Sequence, residues 1–209
     1  MNLRDIVVAV AGLAVSSLLA AATIDGLDVT RSHGRYSLAA DARLDATPES
    51  IYAVLVDYDD NRFGRISSAY KESRYLDPAS DGTPMIYTRM EGCVLWYCMM
   101  LQRTERLETE EPYRIKSITI PEDSNFKFST SEWLLERDGD GTKMIYTLEM
   151  EPDFFVPPII GPWYLKRTLA QGGVRAVTRI ERLARMLDGR PVEPSELDLQ
   201  PLVPASPPG

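Results

Sequence analysis

Hydrophobic and polar residues alternate along most of the central part of this 209-residue chain. Alternation with a period of two is typical of β-strands that bury one face of a sheet. Clusters of turn residues such as DPASDG, PEDSN and DGDG separate the alternating runs. The pattern predicts a first strand within residues 34–44 and further strands at about residues 68–76, 84–93, 98–108, 113–120, 126–137 and 143–151.

A short helix is predicted just after the first strand, where the alternation stops. Thr47 is a suitable N-cap, and Pro48 suits the first helical turn. Ile51, Val54 and Leu55 then fall on one face at helical spacing. The segment NRFGRISSAY, which follows, is predicted to form a second short helix or a loop.

A long helix is predicted near the C-terminus, from about residue 161 to residue 187. Gly172 and Gly173 interrupt it, which predicts either a kink or a close approach of another backbone. The apolar stripe of this helix is formed by Leu169, Val177, Ile180, Ala184 and Leu187.

The first 22 residues have the composition of a secretory signal. Arg4 precedes a long uncharged apolar run, and three alanines stand just before Thr23. We therefore expect a signal peptide at residues 1–22 and an exported chain, located in the periplasm, that begins near Thr23. Because the apolar run is close to the minimum length of a membrane-spanning helix, an uncleaved N-terminal membrane anchor is the alternative.

The rest of the chain predicts one globular domain with flanking segments. Hydrophobic residues make up 44% of the sequence and charged residues 26%, which suits a single core. Residues 23–34, which contain His33, are predicted as a linker, and residues 35–187 as the domain. Residues 188–209 contain six prolines without a period and are predicted to be a disordered tail. The net charge of −8 argues against nucleic acid as a partner and against simple electrostatic docking on anionic lipid.

The two cysteines, Cys93 and Cys98, are separated by four large apolar residues. Along one extended strand their Cα atoms would lie about 16 Å apart, whereas a disulfide needs about 7 Å or less. A bridge therefore requires a hairpin whose loop is formed by the four intervening residues. Export to an oxidising compartment favours this disulfide over two free buried thiols. The spacing and the single histidine argue against a redox or metal site.

The tip of that predicted hairpin is apolar, although polar residues usually occupy such turns. Leu95 and Trp96 stand at its centre. Either these side chains fold back onto the domain, or they touch a membrane or gate a cavity.

Strand parity around the cysteine pair predicts which side chains face the interior. The face opposite the cysteines is the more apolar one, so we assign it to the interior. Arg103 falls in this apolar row, and two interpretations stay open. It is either a strand-end residue whose head reaches solvent or a carboxylate, or a cationic anchor for the polar head of a ligand. The same alternation points Tyr146 inward, whereas the strand around Trp133 is ambiguous. The candidate cavity residues are Met90, Met99, Leu101, Arg103, Trp133 and Tyr146.

Several phrases of the chain resemble the START-like superfamily (SRPBCC), which includes polyketide cyclase and coenzyme Q-binding types. They are TPESIYAVLVDYDD, EGCVLWYC, TIPEDSNFKFSTSEWLLE, GDGTKMIYTLEMEPDFFVPPIIGP and RAVTRIERLAR. The resemblance extends from about Arg35 to Leu187. It implies an α+β helix-grip fold, in which a curved antiparallel sheet of about seven strands surrounds the long C-terminal helix. It also implies a hydrophobic cavity between sheet and helix that binds lipids, quinones, polyketides or similar molecules.

The sequence has no recognisable catalytic constellation. It lacks a nucleophile elbow, a metal-ligand cluster and a phosphate loop, and the single histidine lies in the predicted linker. We therefore assign no catalytic residue, metal or cofactor. The leading hypothesis is an exported, non-enzymatic binding protein that carries a hydrophobic small molecule or lipid and makes transient membrane contact. The alternatives are a polyketide cyclase/dehydratase-like enzyme and an interaction module whose cavity is filled by side chains.

Overall fold

A computed structural model of the chain describes residues 22–94, 97–156 and 161–192. The predicted signal peptide up to residue 21, the Leu95–Trp96 tip and residues 193–209 of the predicted tail lie outside these ranges. None of the helices described is both long and apolar enough to cross a bilayer. The elements are β1 (Thr23–Ser32), β2 (Arg35–Leu44), α1 (Pro48–Leu55), β3 (Tyr70–Leu76), β4 (Met85–Val94), β5 (Tyr97–Glu110), β6 (Arg114–Thr119), β7 (Phe126–Asp138), β8 (Gly141–Pro152) and α2 (Gly161–Leu187).

The eight strands form one antiparallel sheet in the order β1-β2-β8-β7-β6-β5-β4-β3. The sheet is curved and open, so β1 and β3 are its two edges. The long helix α2 packs against the concave face of the sheet, beside α1. The predicted α+β helix-grip fold is therefore confirmed, with eight strands in place of about seven.

The predicted linker at residues 23–34 is wrong, because most of it forms the edge strand β1. Leu27 and Val29 point into the core, and β1 pairs along its whole length with β2. A register shift between Ile24 and Gly26 breaks the alternation, which hides the strand in the sequence. His33 lies in the exposed turn that joins β1 to β2, with a φ of 50°.

The start of α1 follows the predicted capping pattern. The Thr47 hydroxyl accepts a hydrogen bond from the Ser50 amide at 3.3 Å, and Pro48 occupies the first turn. After α1, the segment predicted as a short helix or loop begins with 3₁₀ turns at Asp59–Arg65. These turns lie against β3.

The first residues of the predicted disordered tail belong to the domain. The Asp188 carboxylate accepts hydrogen bonds from the Thr47 amide at 2.9 Å and from the Thr47 hydroxyl at 2.8 Å. Arg190 forms an ion pair with Asp45 in the loop between β2 and α1. These contacts fix the chain just after α2, so the prediction of disorder is wrong for residues 188–192.

Two apolar clusters lie between the sheet and the helices. The first, the α1 cluster, packs α1 and the C-terminal half of α2 against the sheet. The second, the hairpin cluster, lies toward the β4–β5 hairpin and is covered by the N-terminal half of α2. The α1 cluster is centred on Leu44, Ile51, Leu55, Ile86, Leu135 and Ile180. The hairpin cluster is centred on Val29, Tyr36, Leu38, Leu101, Leu148 and Met150.

Candidate functional site

A band of polar side chains crosses the concave face between the two apolar clusters. Side chains two residues apart on a strand share a face, so the inward row of β5 runs from Leu101 through Arg103 and Glu105 to Leu107. The register of the neighbouring strands places further polar side chains beside this row. We call the band the polar belt and define it as Tyr70, Thr88, Arg103, Glu105, Ser117, Ser131 and Tyr146.

The centre of the polar belt is a buried ion pair. Nε of Arg103 lies 3.6 Å from a carboxylate oxygen of Glu105, and the two side chains are 12% and 3% exposed. Arg103 also donates a hydrogen bond from a terminal nitrogen to the Tyr70 hydroxyl at 3.2 Å. The other Glu105 oxygen accepts hydrogen bonds from Ser117 at 2.9 Å and from Thr119 at 3.4 Å. The pair thus places a balanced set of charges inside an otherwise apolar interior.

Electrostatics keep Arg103 and the two tyrosines of the belt in one protonation state at neutral pH. Burial lowers the pKa of Arg103, but the Glu105 carboxylate and Tyr70 more than offset that effect, so the pKa is raised. Burial also raises the pKa of Tyr70 and Tyr146 above that of an ordinary tyrosine. The guanidinium therefore stays charged, and both phenols remain protonated and able to donate hydrogen bonds.

Several buried polar atoms on the concave face have no hydrogen-bond partner among the described residues. They are the Tyr36 hydroxyl, Thr88 Oγ1, Ser129 Oγ and Arg103 Nε. The distance of 3.6 Å from Nε to Glu105 gives an ion pair but is too long for a hydrogen bond. Leaving such an atom unpaired costs about 1–3 kcal/mol. These four atoms therefore mark places where a polar group of a bound molecule, or water, would be stabilised.

Comparison with known proteins places the chain in a family. The family model for polyketide cyclase/dehydrase and lipid transport proteins matches residues 35–186, most of the chain. The chain belongs to this family. The resemblance to the START-like superfamily is thereby confirmed, and family and fold together indicate a domain of the type that binds hydrophobic ligands. No curated protein matches the chain significantly.

Solved structures of this polyketide cyclase and lipid transport type share the fold at low sequence identity. The Zhui aromatase/cyclase from Streptomyces sp. R1128 has a TM-score of 0.56 and 12% identity, with 73% of this chain and 96% of that chain covered. Human STARD10 has a TM-score of 0.56 and 12% identity, with 78% and 75% covered. A STAR-related lipid transfer protein from Xanthomonas axonopodis has a TM-score of 0.51 and 17% identity, with 78% and 99% covered. At these identities the similarity concerns the fold alone.

All six candidate cavity residues lie on the concave face of this family fold. Met90 and Met99 pack at the edge of the hairpin cluster, and Leu101 lies within it. Trp133 and Tyr146 stack on neighbouring strands with ring centroids 3.9 Å apart. Their part in ligand binding stays a prediction. Arg103 finds a carboxylate, as one interpretation held, but its head is buried and does not reach solvent.

The partner of Arg103 is a residue that the sequence analysis missed. Glu105 stands two positions further along β5, so the same alternation that placed Arg103 inward also places Glu105 inward. Ser129 was missed for a different reason. A register shift between Phe126 and Phe128 disturbs the alternation of β7 near its start. Tyr70 and Tyr36 had no distinguishing sequence signal beyond strand parity.

The cysteines form the predicted disulfide across the β4–β5 hairpin. Cys93 and Cys98 are direct partners, with their Cα atoms 4.0 Å apart. The hairpin is tighter than predicted, because strand pairing continues for one more pair beyond the cysteines. The two sulfur atoms lie near the Glu91 carboxylate, yet both are held in the S–S bond. The pair is therefore a structural link in this state. The predicted apolar tip, Leu95 and Trp96, lies outside the described residues.

A polar groove on the outer surface near β3 differs from the interior site. Each of its three cations has an acidic partner: Lys71 pairs with Glu91 at 3.1 Å, and Arg74 and Arg89 both pair with Glu72. The Asn61 side chain accepts a hydrogen bond from the Ser73 amide of edge strand β3. The Asn61 side chain thus covers part of the sheet edge, and no residue that lines the groove belongs to the polar belt.

Proposed function

We propose that this protein is an exported, non-enzymatic binding protein for a hydrophobic small molecule, such as a lipid or a quinone. The molecule lies between the sheet and α2, with its apolar part in the hairpin cluster and a polar atom at the belt. One observation carries the proposal. Buried donors without a hydrogen-bond partner, above all Arg103 Nε and Thr88 Oγ1, lie next to the hairpin cluster, which only the N-terminal half of α2 covers.

The charge balance of the belt favours a neutral polar group on the ligand. Glu105 already compensates the charge of Arg103. A phosphate or carboxylate would therefore add an uncompensated charge to the interior, which is strongly unfavourable. A carbonyl or hydroxyl oxygen can accept a hydrogen bond from Arg103 without that penalty.

The state of Glu105 favours binding over catalysis. One of its oxygens accepts hydrogen bonds from Ser117 and Thr119, and the other faces Arg103. Glu105 is thus engaged by groups of the belt and is only 3% exposed, and His33 lies in an exposed turn. A polyketide cyclase/dehydratase-like activity would require Glu105 to leave its ion pair with Arg103, or a base outside the polar belt.

Export to the periplasm is part of the proposal. The apolar N-terminal run supports it, and so does a disulfide on the hairpin, since disulfides persist in oxidising compartments. A carrier in that compartment would move its ligand between membranes. Cell fractionation, with intact-mass analysis of the recovered protein, tests both the location and removal of residues 1–22.

Ligand binding is tested with a panel of quinones, fatty acids and neutral lipids, using native mass spectrometry and titration. The informative variant is the double change Arg103→Met and Glu105→Met, because changing Arg103 alone leaves a buried charge unpaired. Loss of a hydrogen bond from a charged donor should weaken binding by roughly 10- to 100-fold. The matched control is Arg106→Gln on the outer face of β5, where Arg106 pairs with Asp81.

Two results would contradict the proposal. The first is a wild-type protein that binds no member of the panel and carries no molecule extractable from cells. The second is a double variant that folds and binds as tightly as the Arg106→Gln control. Turnover of a polyketide substrate would replace the binding role with an enzymatic one.

A further inference from the structure

Two large aromatic side chains stand out from the surface near the start of α2. Phe155, just before the helix, is 78% exposed, and Trp163, in its first turn, is 61% exposed. Phe154 packs against Phe126 of the hairpin cluster with ring centroids 5.9 Å apart. This packing holds the Phe154 side chain against the interior, whereas the Phe155 side chain lies in solvent. Exposed aromatics mark an interaction surface where they form one patch with their neighbours.

The same part of α2 is positively charged, unlike the protein as a whole. Residues 161–180 contain Lys166, Arg167, Arg175 and Arg179 and no acidic residue, whereas the whole chain carries a net charge of −8. The first three cations are exposed. The Arg167 guanidinium lies 5.7 Å from the centre of the Trp163 ring, which joins charge and aromatic surface in one patch.

Helical spacing places Trp163 and Arg167 on one solvent-facing stripe, with the exposed Lys166 and Arg175 on its two flanks. Trp163, Arg167 and Gln171 follow at intervals of four, and Val174 continues the stripe three positions later. Leu165 and Leu169, on the other side, pack on the hairpin cluster. The N-terminal half of α2 thus has one face on the interior and one basic, aromatic face in water.

We propose that this outer face, formed by Phe155, Trp163, Lys166, Arg167 and Arg175, docks on a membrane that contains anionic phospholipid. Tryptophan and phenylalanine insert well at the level of the headgroups, and cations beside them pair with anionic lipid. The negative remainder of the protein does not prevent this contact, because charges more than about 8 Å away are screened at physiological ionic strength. The global charge therefore excludes docking by the whole surface but not by this patch.

The proposal deepens the proposed function, because it supplies the partner from which a carrier would load its ligand. It rests on different residues, however, and the two can fail separately. Residues of the docking face lie outside the polar belt, so changes there should leave ligand affinity in solution unchanged.

The test is co-sedimentation of the full chain with phosphatidylcholine vesicles, with and without phosphatidylglycerol, at low and physiological salt. Wild-type protein should bind the anionic vesicles more strongly, and salt should weaken that binding. The double change Lys166→Gln and Arg167→Gln should lower the partition coefficient roughly 30-fold. Phe155→Ser with Trp163→Ser should also lower it. Matched controls at the other end of the domain are Arg137→Gln and Tyr113→Ser, both at exposed positions.

A second measurement locates the contact directly and separates it from the apolar N-terminal run, which every variant shares. Lipids with bromine-labelled acyl chains quench the fluorescence of an inserted tryptophan. The quenching should fall sharply in Trp163→Phe if Trp163 enters the bilayer. Equal binding to neutral and anionic vesicles, or charge and aromatic variants that match their controls, would overturn the proposal. Salt-sensitive capture of an acidic protein without any vesicle binding would also overturn it. Loss of vesicle binding with ligand affinity retained supports docking, whatever the ligand proves to be.

Discussion

The two apolar clusters on the concave face share the same sheet and the same long helix, yet they differ in how completely they are closed. In the α1 cluster, Ala46, Ile51 and Ile180 have no exposed surface. In the hairpin cluster, Val29 and Leu148, among its buried members, remain 8% exposed. The α1 end has α1 and the C-terminal half of α2 over the sheet, whereas the hairpin end has only the N-terminal half of α2. The α1 end is the more completely closed one, and the hairpin end is where we place the ligand.

Polar contacts reinforce this difference. Glu181 accepts hydrogen bonds from the amides of Ala22 at 3.0 Å and Asp45 at 2.9 Å, so it ties α2 to the start of β1 and the end of β2. Arg185 adds an ion pair with Asp45. Among the described residues, the α2 side chains that bond to other elements in this way lie in its C-terminal half. The N-terminal half is held by apolar contacts and is therefore the easier half to move.

The largest effect that tests this comparison comes from matched truncations in the two halves of α2. Ile180→Ala removes a fully buried side chain and should cost about 2–5 kcal/mol in the free energy of unfolding. Leu169→Ala removes a half-buried one and should cost about half as much, because less apolar area is lost. Urea unfolding of both variants measures the difference. Equal losses would mean that the two ends are equally rigid.

The same pair of variants should separate stability from binding. Leu169 contacts the cluster in which we place the ligand, so Leu169→Ala should change ligand affinity. Ile180→Ala should leave affinity unchanged in the fraction that remains folded. The reverse pattern would place the ligand at the α1 end.

The strand core of the fold was predictable because alternation and turn residues act locally. Predicted bounds for β3 to β8 agree with the structure within two residues at each end. Parity then placed Met90, Leu101 and Tyr146 on the concave face, since a one-residue slip would have exposed a whole apolar row. Local pattern therefore determines both the element and its inner face.

What the sequence did not show depends on contacts between distant residues or on irregular backbone. The β1 strand was hidden by a register shift, although its pairing with β2 is long. The hydrogen bonds that Thr47 donates to Asp188 join positions 141 residues apart. The sequence around Asp188 therefore does not indicate that this segment is ordered. Glu105 lies between the predictable and the unpredictable features. Strand parity alone would have placed it inward beside Arg103, although it was not identified from the sequence.

A second, smaller effect should appear at the contact that closes the α1 end. Burial would raise the pKa of Asp188, but hydrogen bonds from Ser50 and Thr47 outweigh it and hold the pKa below its ordinary value. The carboxylate is therefore stabilising above the unfolded-state pKa of about 3.9, and that contribution is lost as the pH falls through the folded-state pKa. Asp188→Asn should cost roughly 1–3 kcal/mol at neutral pH and flatten the acid side of the stability curve.

The control for this change is Asp77→Asn in the exposed loop between β3 and β4. Denaturant unfolding of wild type and both variants between neutral and acidic pH gives the comparison. A loss of stability in Asp188→Asn that persists unchanged in acid would show that the carboxylate charge has no part in closing this end. Ligand affinity should not respond, because Asp188 lies away from the hairpin cluster.

The smallest expected effect lies at Gly172 and Gly173, between the two halves of α2. A methyl group at Gly172 would meet nothing within 4 Å, and one at Gly173 would meet only Leu27 at an ordinary contact distance of 3.7 Å. The predicted close approach of another backbone is thus wrong, and neither position needs glycine for space. By contrast, Gly189 after the helix has a φ of 69°, which favours glycine.

Replacing both helical glycines by alanine should therefore stabilise the protein, by about 1 kcal/mol. Gly189→Ala, the control, should destabilise it. If the glycines let the N-terminal half of α2 move against a fixed C-terminal half, the double variant should also exchange its ligand more slowly. Stopped-flow displacement of a bound ligand measures that rate. A stabilised variant with unchanged exchange would show that the ligand enters without bending α2, and that the looser packing of the hairpin cluster suffices.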